Sequence, residues 1–274
     1  MSSVKELAAS RELLGNLVSR DLRGKYKRSF LGWTWSLVNP LSLAGIYTVV
    51  FVVIFKAPSP VGHPSGLKTF PLYLLCGLLP WSFLSNTIGG SVGSLTGNAS
   101  LVNKVYFPRE ILVASSTFGW VVSFAIELTV LCVVLLAFGN QVLPWLPVLI
   151  LLVALQTVFV LGVGLALSVL NVYFRDVQHF MAILLQIWFY ATPVIYPISF
   201  VQSWVNRHHP AFPVMLLYRA NPMVAFVESY HRILYDLRWP AAGDIAWATV
   251  ASFLSLAIGW AVFRRFEPRL AEEL

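Results

Sequence analysis

Polar and charged positions fill the first 28 residues, and beyond them the chain is built of long apolar runs broken by short polar stretches. Five stretches contain no Asp, Glu, Lys or Arg: residues 29–55, 69–103, 128–174, 177–206 and 245–263. A membrane-spanning helix needs about 20 mostly apolar residues, so each stretch can hold one. The run 111–126 makes a sixth if Glu127 is accepted within its span. The pattern predicts spans at 36–55, 70–91, 111–138, 146–170, 177–190 and 245–263. Gly139-Asn140 and the prolines at 144 and 147 separate the third span from the fourth, as turn chemistry should. No internal repeat is visible. The expected fold is an all-α integral membrane protein of six transmembrane helices in one domain, 1–274. It comprises an N-terminal segment 1–35, a bundle 36–263 and a tail 264–274.

Two regions do not read as ordinary spans. In residues 11–28, RELLGNLVSRDLRGKYKR, the apolar Leu13, Leu14, Leu17, Val18 and Leu22 recur near helical spacing, and charges fill the other face. This is the pattern of an amphipathic helix in the membrane interface. Its basic end (Arg20, Arg23, Lys25, Lys27 and Arg28, with Asp21 and Tyr26) would sit among anionic headgroups. A basic topogenic flank explains the charges but not the apolar period. Residues 191–243 are too polar for a span, yet carry apolar stretches broken by Pro193, Pro197, Pro210, Pro213 and Pro222. Irregular backbone at membrane depth survives only where protein or a water-filled cavity surrounds it. Two short re-entrant helices are expected between spans five and six, near 191–200 and 222–234. A plain external loop is the alternative.

Composition agrees with a lipid environment. The 274 residues are 58% hydrophobic and 11% charged, against about 25% charged in a soluble domain. The net charge of +7 matters by its placement. With the N-terminus inside, thirteen of the nineteen Lys and Arg fall in inner segments and six in outer ones, which sets both termini in the cytoplasm. That distribution points to lipid headgroups and not to nucleic acid. Cys76 and Cys132 lie in apolar runs without metal spacing and read as packing residues. The polar start and the length of the first apolar run argue against a cleavable signal peptide. No GxxxxGK[ST] phosphate loop, nucleophile motif or metal-ligand cluster occurs; His208-His209 is a weak signal. An enzyme of the membrane, such as a glycosyl- or acyltransferase, would need clustered acids or histidines on one face, and the acids here are scattered. A secondary transporter would show inverted repeats and paired intramembrane charges.

Several segments can carry function. Residues 97–110, GNASLVNKVYFPRE, mix Leu101, Val102, Val105, Tyr106 and Phe107 with Lys104, Arg109 and Glu110. A short helix over 100–106 should end before Pro108. Its apolar surface calls for docking, either into lipid or into a partner. In NVYFRDVQH, 171–179, Arg175 and Asp176 form a local pair, cap the next helix, or make a second contact with that partner. Aromatic residues crowd the outer region, among them Trp188, Phe189, Tyr190, Tyr196, Phe226 and Tyr230. They fit either the faces of sugar rings or an interfacial belt. Glu228 and Arg232 stand four apart and can pair on a helix. Glu127 within a span is either a pathway group or a protonated helix-packing group.

Five stretches in order, LVSRDLRGKYKRSFLGWTWSLVNPL, LVNKVYFPREIL, LNVYFRDVQH, FYATPVIYP and NPMVAFVESYHRILYD, resemble the permease subunits of ABC-2 type polysaccharide exporters. The resemblance implies a bacterial inner-membrane homodimer with two copies of a cytoplasmic ATPase. ATP and Mg would be held on that partner, with no cofactor in this chain. It implies that the segment with Ser100, Leu101, Val102, Asn103, Lys104, Val105, Tyr106, Phe107 and Arg109 is the coupling helix. It implies an outer gate and conduit from Trp188, Phe189, Tyr190, Thr192, Pro193, Tyr196, Asn221, Pro222, Phe226, Glu228, Tyr230 and Arg232. The cargo it implies is a glycan on an undecaprenyl-type lipid, such as an O-antigen or an actinobacterial galactan. A permease of the same class for another lipid or a drug predicts the same topology.

Overall fold

The computed structural model describes residues 11–26, 32–56, 59–104, 107–210 and 212–273, and among these the chain is helical without strands. The amphipathic segment forms α1 (Arg11–Tyr26). The first long apolar run forms α2 (Trp35–Thr48), which loosens into a π-helical end, Val49–Ile54. Then follow α3 (Phe70–Val92), the short α4 (Ala99–Lys104), α5 (Glu110–Ala137), α6 (Leu146–Tyr173) and α7 (Val177–Tyr190). The proline-rich region gives α8 (Ile198–His208), α9 (Val214–Ala220) and α10 (Pro222–Tyr230), continued by a π-helical turn, His231–Asp236. The chain closes with α11 (Ala242–Phe266) and a last turn, α12 (Leu270–Glu273).

Among the described residues five helical stretches are long and apolar enough to cross a membrane: Leu37–Ile54, Phe70–Val92, Glu110–Ala137, Leu143–Tyr173 and Ala242–Arg269. The fifth expected span is different. α7 has 14 residues, about 21 Å at 1.5 Å per residue, short of the ~30 Å hydrocarbon layer.

α3 is the central post. Nearly every residue from Phe70 to Leu84 is buried, and the helix packs against α2, α5, α6, α7 and α10. Lipid cannot satisfy polar groups, and two side-chain amides inside this core reach main-chain carbonyls, while the hydroxyls of Thr87 and Ser91 on α3 are buried without a partner among the described residues. Gln156 of α6 donates to the carbonyl of Pro80 at 2.8 Å, and Asn171 donates to the carbonyl of Val92 at 3.0 Å, at the C-terminal end of α3. α6 and α11 pair most closely. Gly162 and Gly259 lie backbone to backbone, and a Cβ on either would run into the other helix. Ser252 and Ser255 of α11 donate to the carbonyls of Leu155 and Phe159, each at 2.8 Å. Small residues and interhelical hydroxyl bonds are how helices associate where no hydrophobic driving force acts between them.

The two ends of the bundle differ. At one end Leu17 of α1, Val102 of α4, Ile111 of α5, Val172 of α6, Phe263 of α11 and Leu270 of α12 share an apolar cluster. The two ends of the described chain therefore meet there, with Arg109, Arg264, Arg265 and Arg269 nearby in the chain; we call this the basic end. The opposite end is tied by Tyr235, whose hydroxyl donates to the carbonyl of Pro60 at 2.7 Å, and by Asn140, which donates to the carbonyl of Leu234 at 2.6 Å. α6 finishes at the basic end and α11 starts at the opposite one. The climb between them is made by α7 and the segment after it.

Two expectations shift position. The apolar stripe of α1 was expected to lie in a membrane interface. Here Leu17 is buried, and Leu13 and Leu14 pack on the same cluster, against the start of α5. The first short helix of the proline-rich region was expected at 191–200 but starts only at Ile198. Residues before proline disfavour helix, and Pro193 and Pro197 keep 191–197 in turns. α8 buries no residue, whereas in α10 Met223 to Val227 and Tyr230 are buried. Residues 222–236 are thus helical and largely buried against protein.

Candidate functional site

A cleft of about 600 Å³ lies between α2, α3 and α7. Each helix contributes one stripe. α2 brings Asn39, Leu43 and Tyr47; α3 brings Trp81, Ser82, Ser85, Asn86 and Gly89; α7 brings Gln178, Ala182, Gln186, Phe189 and Tyr190. Steps of three and four put these residues on one face of each helix. The cleft is graded along its length. Asn39, Asn86 and Gln178 lie toward the basic end, and the rings of Tyr47, Trp81, Phe189 and Tyr190 toward the other. The rings form a connected lining: Trp81 to Phe189 is 5.5 Å between centroids, Tyr47 to Phe189 6.4 Å, and Phe189 to Tyr190 5.3 Å.

Asn39, Gln178 and Gln186 are exposed on this face and have no hydrogen-bond partner among the described residues. A bare amide against hydrocarbon costs several kcal/mol. The cleft therefore suits water, a polar cargo or another protein surface. It offers amide donors and acceptors for hydroxyls and aromatic faces for the C–H faces of sugar rings. It presents no charged side chain, so it suits many weak neutral contacts.

Asn221 anchors the cleft's far wall. Its Oδ1 accepts from Trp188 Nε1 at 2.8 Å and from the Met223 amide at 3.0 Å, capping α10. Its Nδ2 donates to the carbonyl of Ala191 and to Thr192 Oγ1, each at 3.1 Å. Thr192 in turn donates to the carbonyl of Trp188 at 2.8 Å. One side chain thus fixes the end of α7, the turn after it and the start of α10. Tyr196 donates to the carbonyl of Tyr190 at 2.7 Å, Pro193 is buried in this turn, and Pro222 opens α10.

The remaining outer residues divide. Phe226 and Tyr230 are fully buried, packed on Phe159 and Phe124, so their rings are core and face no passage. Glu228 and Arg232 do not pair as expected. The π-helical turn from His231 changes the register, and Arg232 reaches Asp244 instead, at 4.0 Å. Burial pushes the Glu228 carboxyl up to about 7, opposed by the charge of Arg232. Both line a separate cavity of about 360 Å³ with His231, Asp236 and Arg238.

At the basic end, α4 covers Ser100 to Lys104, and Val105 and Tyr106 lie outside the described residues. Ser100 and Lys104 are exposed, Val102 is buried, and Leu101 and Phe107 pack on the same cluster; Asn103 has its place in the helix. Arg109 turns inward and donates to the carbonyl of Glu267. Arg175 and Asp176 are exposed; Asp176 sits at the N-cap of α7 without a side-chain cap bond, and the two form no ion pair among the described residues. In α1, Arg20 pairs with Asp21 at 2.9 Å, and Asp21 also accepts from Ser115 at 3.2 Å. Arg23 is exposed, Lys25 and Tyr26 close the helix, and Lys27 and Arg28 lie outside the described residues. Glu127 is buried within α5.

Sequence reasoning did not single out Asn39, Tyr47, Trp81, Ser82, Ser85, Asn86, Gln178 or Gln186. The signal was present as Ser82, Ser85/Asn86, Gly89 and as Gln178, Ala182, Gln186, two small-and-polar stripes at helical spacing.

Comparison with known proteins adds to this geometry. The family model of ABC-2 type transporters matches residues 12–235. The O-antigen export system permease protein RfbA of Myxococcus xanthus is 34% identical over 270 residues, 98% of this chain and 96% of the relative. The Klebsiella pneumoniae protein of the same name is 27% identical over 268 residues, 96% and 95% of the two chains. The polysialic acid transport protein KpsM of Escherichia coli is 23% identical over 262 residues, 92% of each. A five-span helical core, a polar cleft on its side and a match spanning most of the sequence agree: the chain belongs to the ABC-2 type transporter family.

Proposed function

We propose that this chain is the membrane permease subunit of an ATP-driven exporter that carries a lipid-linked polysaccharide across the bacterial inner membrane. The observation that carries the reading is the uncharged amide-and-aromatic cleft on an otherwise apolar bundle. A polymer moving lengthwise needs many weak contacts and no deep site, and this lining is of that kind. Relatives that align from end to end are named for O-antigen and polysialic acid transport, which favours a glycan over a drug or a simple lipid.

Five further assignments belong to the reading. α7 and the turn after it make the sixth crossing, since the chain must pass from the basic end to the opposite end between α6 and α11. The basic end is cytoplasmic, following the Lys and Arg excess there. α4 is the coupling helix that seats in a separate ATPase subunit, which holds the ATP and Mg; its exposed Ser100 and Lys104 form the contact and Val102 anchors it to the bundle. A second copy of this chain faces the cleft and closes it into a conduit, which would cover the bare amides. α8 to α10 stand as the outer gate.

Depleting the protein in its host tests the cargo directly. Lipid-linked glycan should accumulate on the cytoplasmic side while surface glycan disappears. Normal surface glycan after depletion would defeat the polysaccharide assignment.

A further inference from the structure

The basic end joins two segments about 160 residues apart in the chain. Arg109, just beyond Phe107, donates from Nη1 to the main-chain carbonyl of Glu267. That carbonyl belongs to the turn Glu267–Arg269 that follows the end of α11. The same carbonyl accepts from the Leu270 amide at the close of that turn, and the guanidinium occupies its second lone pair. The tail is held at further points. Phe266 packs edge-on to Tyr173 of α6 with ring centroids 5.6 Å apart. Arg264 pairs with the Glu267 carboxylate at 3.0 Å. Leu270 is fully buried in the cluster that also contains Val102 of α4, Leu17 of α1 and Ile111 of α5.

α4 has only six residues. A helix that short has little stability of its own, so its place depends on what holds it. Val102, with Leu101 and Phe107 packed beside it, holds the segment to the cluster, and Arg109 ties it to the tail. We propose that the tail 264–273 is a strut that sets the position of α4, and that Arg109 is a positioning residue acting through the Glu267 carbonyl. Sequence reasoning had assigned Arg109 to the ATPase contact itself. The strut rests on the reading of α4 as the coupling helix. Motion delivered to α4 would reach α6 and α11 through the tail as well as through α5.

The test compares wild type with Arg109→Ala, Arg109→Lys, Leu270→Ala and a chain ending at Arg265. In the purified permease alone, hydrogen exchange at residues 99–104 should rise roughly fivefold in Arg109→Ala, the size of one lost hydrogen bond, and similarly in the shortened chain. Combining the two changes should add nothing, because each removes the same link. Lysine reaches a single carbonyl and should restore most of the protection. Leu270→Ala gives the same direction in a chain of full length, should the shortened one fail to fold. In the complex with its ATPase, Arg109→Ala should leave copurification intact and lower the glycan exported per ATP hydrolysed, and Arg109→Lys should restore that ratio. Unchanged exchange at 99–104 in Arg109→Ala and Leu270→Ala would overturn the strut. So would loss of the ATPase from Arg109→Ala with no effect of the tail. A wild-type chain that binds no ATPase would defeat the coupling reading and leave the exchange result standing.

Discussion

Asn221 shows what a single residue does here. It satisfies the Trp188 indole, the turn after α7 and the first free amide of α10 with one side chain. Asn221→Ala leaves the half-buried indole and Thr192 short of a partner, a loss of about 2–3 kcal/mol. The melting temperature in detergent should fall by several degrees, and an unchanged value would remove Asn221 from its anchoring role. Glu228 gives a pH signature of definite sign. Its carboxyl is raised from 4.5 to about 7 by burial, so the folded state holds this proton more tightly than the unfolded chain does. The associated stability is present below pH ~4.5 and is lost as pH rises through 7. Glu228→Gln should therefore raise the melting temperature relative to wild type at pH 8 and change it little at pH 5. An equal effect at both values would contradict the burial. Neither role was legible in the sequence at full detail. Asn221 was named only for the outer gate that the family resemblance implies, and the partner it holds at Ala191 lies 30 residues away. The Glu228–Arg232 pairing failed because a π-helical turn, which periodicity does not announce, sits between them.

At the scale of elements, hydropathy located the long helices well because lipid imposes the pattern on each span separately. The 70–92, 110–137, 146–173 and 242–266 helices match the runs predicted for them to within a few residues at each end. The polar stripe of each span was harder to see. Two or three amides or serines hardly alter the hydropathy of one helix, and they become a cleft only when three helices turn the same way. Amphipathicity in α1 was visible, but whether lipid or protein covers the apolar face is a tertiary fact. The α6–α11 pair was equally hidden, since the significance of Gly162 and Gly259 lies in their meeting. Gly259→Leu should separate these helices at a cost of about 3 kcal/mol or more. Loss of folded protein after membrane extraction would report it. Tolerance of leucine, with wild-type yield and melting, would mean the two backbones are not in contact.

At the scale of the whole molecule, the proposed reading makes the cleft one half of a conduit that a second copy would complete. Its floor is α3, its flanks are α2 and α7, and its mouth opens sideways beside exposed Ile46, Ile183 and Ile187. A partner copy across this mouth would shield the amides from lipid and supply a second set of rings. Ala182 lines the cleft and is exposed. With native cysteines buried in the core, Ala182→Cys should cross-link between copies through a short bifunctional reagent in native membranes. Cross-linking absent there but present from α11 positions would move the interface elsewhere. On the proposed reading, energy would arrive at the basic end through α4 and cargo would move along the cleft from amides to aromatic rings. The most direct measurement is transport by the purified chain with its ATPase in vesicles loaded with the lipid-linked glycan on the ATPase side. ATP should make the glycan accessible to a glycosidase confined to the other side, and Trp81→Ala with Phe189→Ala should slow this without preventing assembly. Transfer that proceeds without the ATPase, or ATP hydrolysis that never moves glycan, would contradict the account.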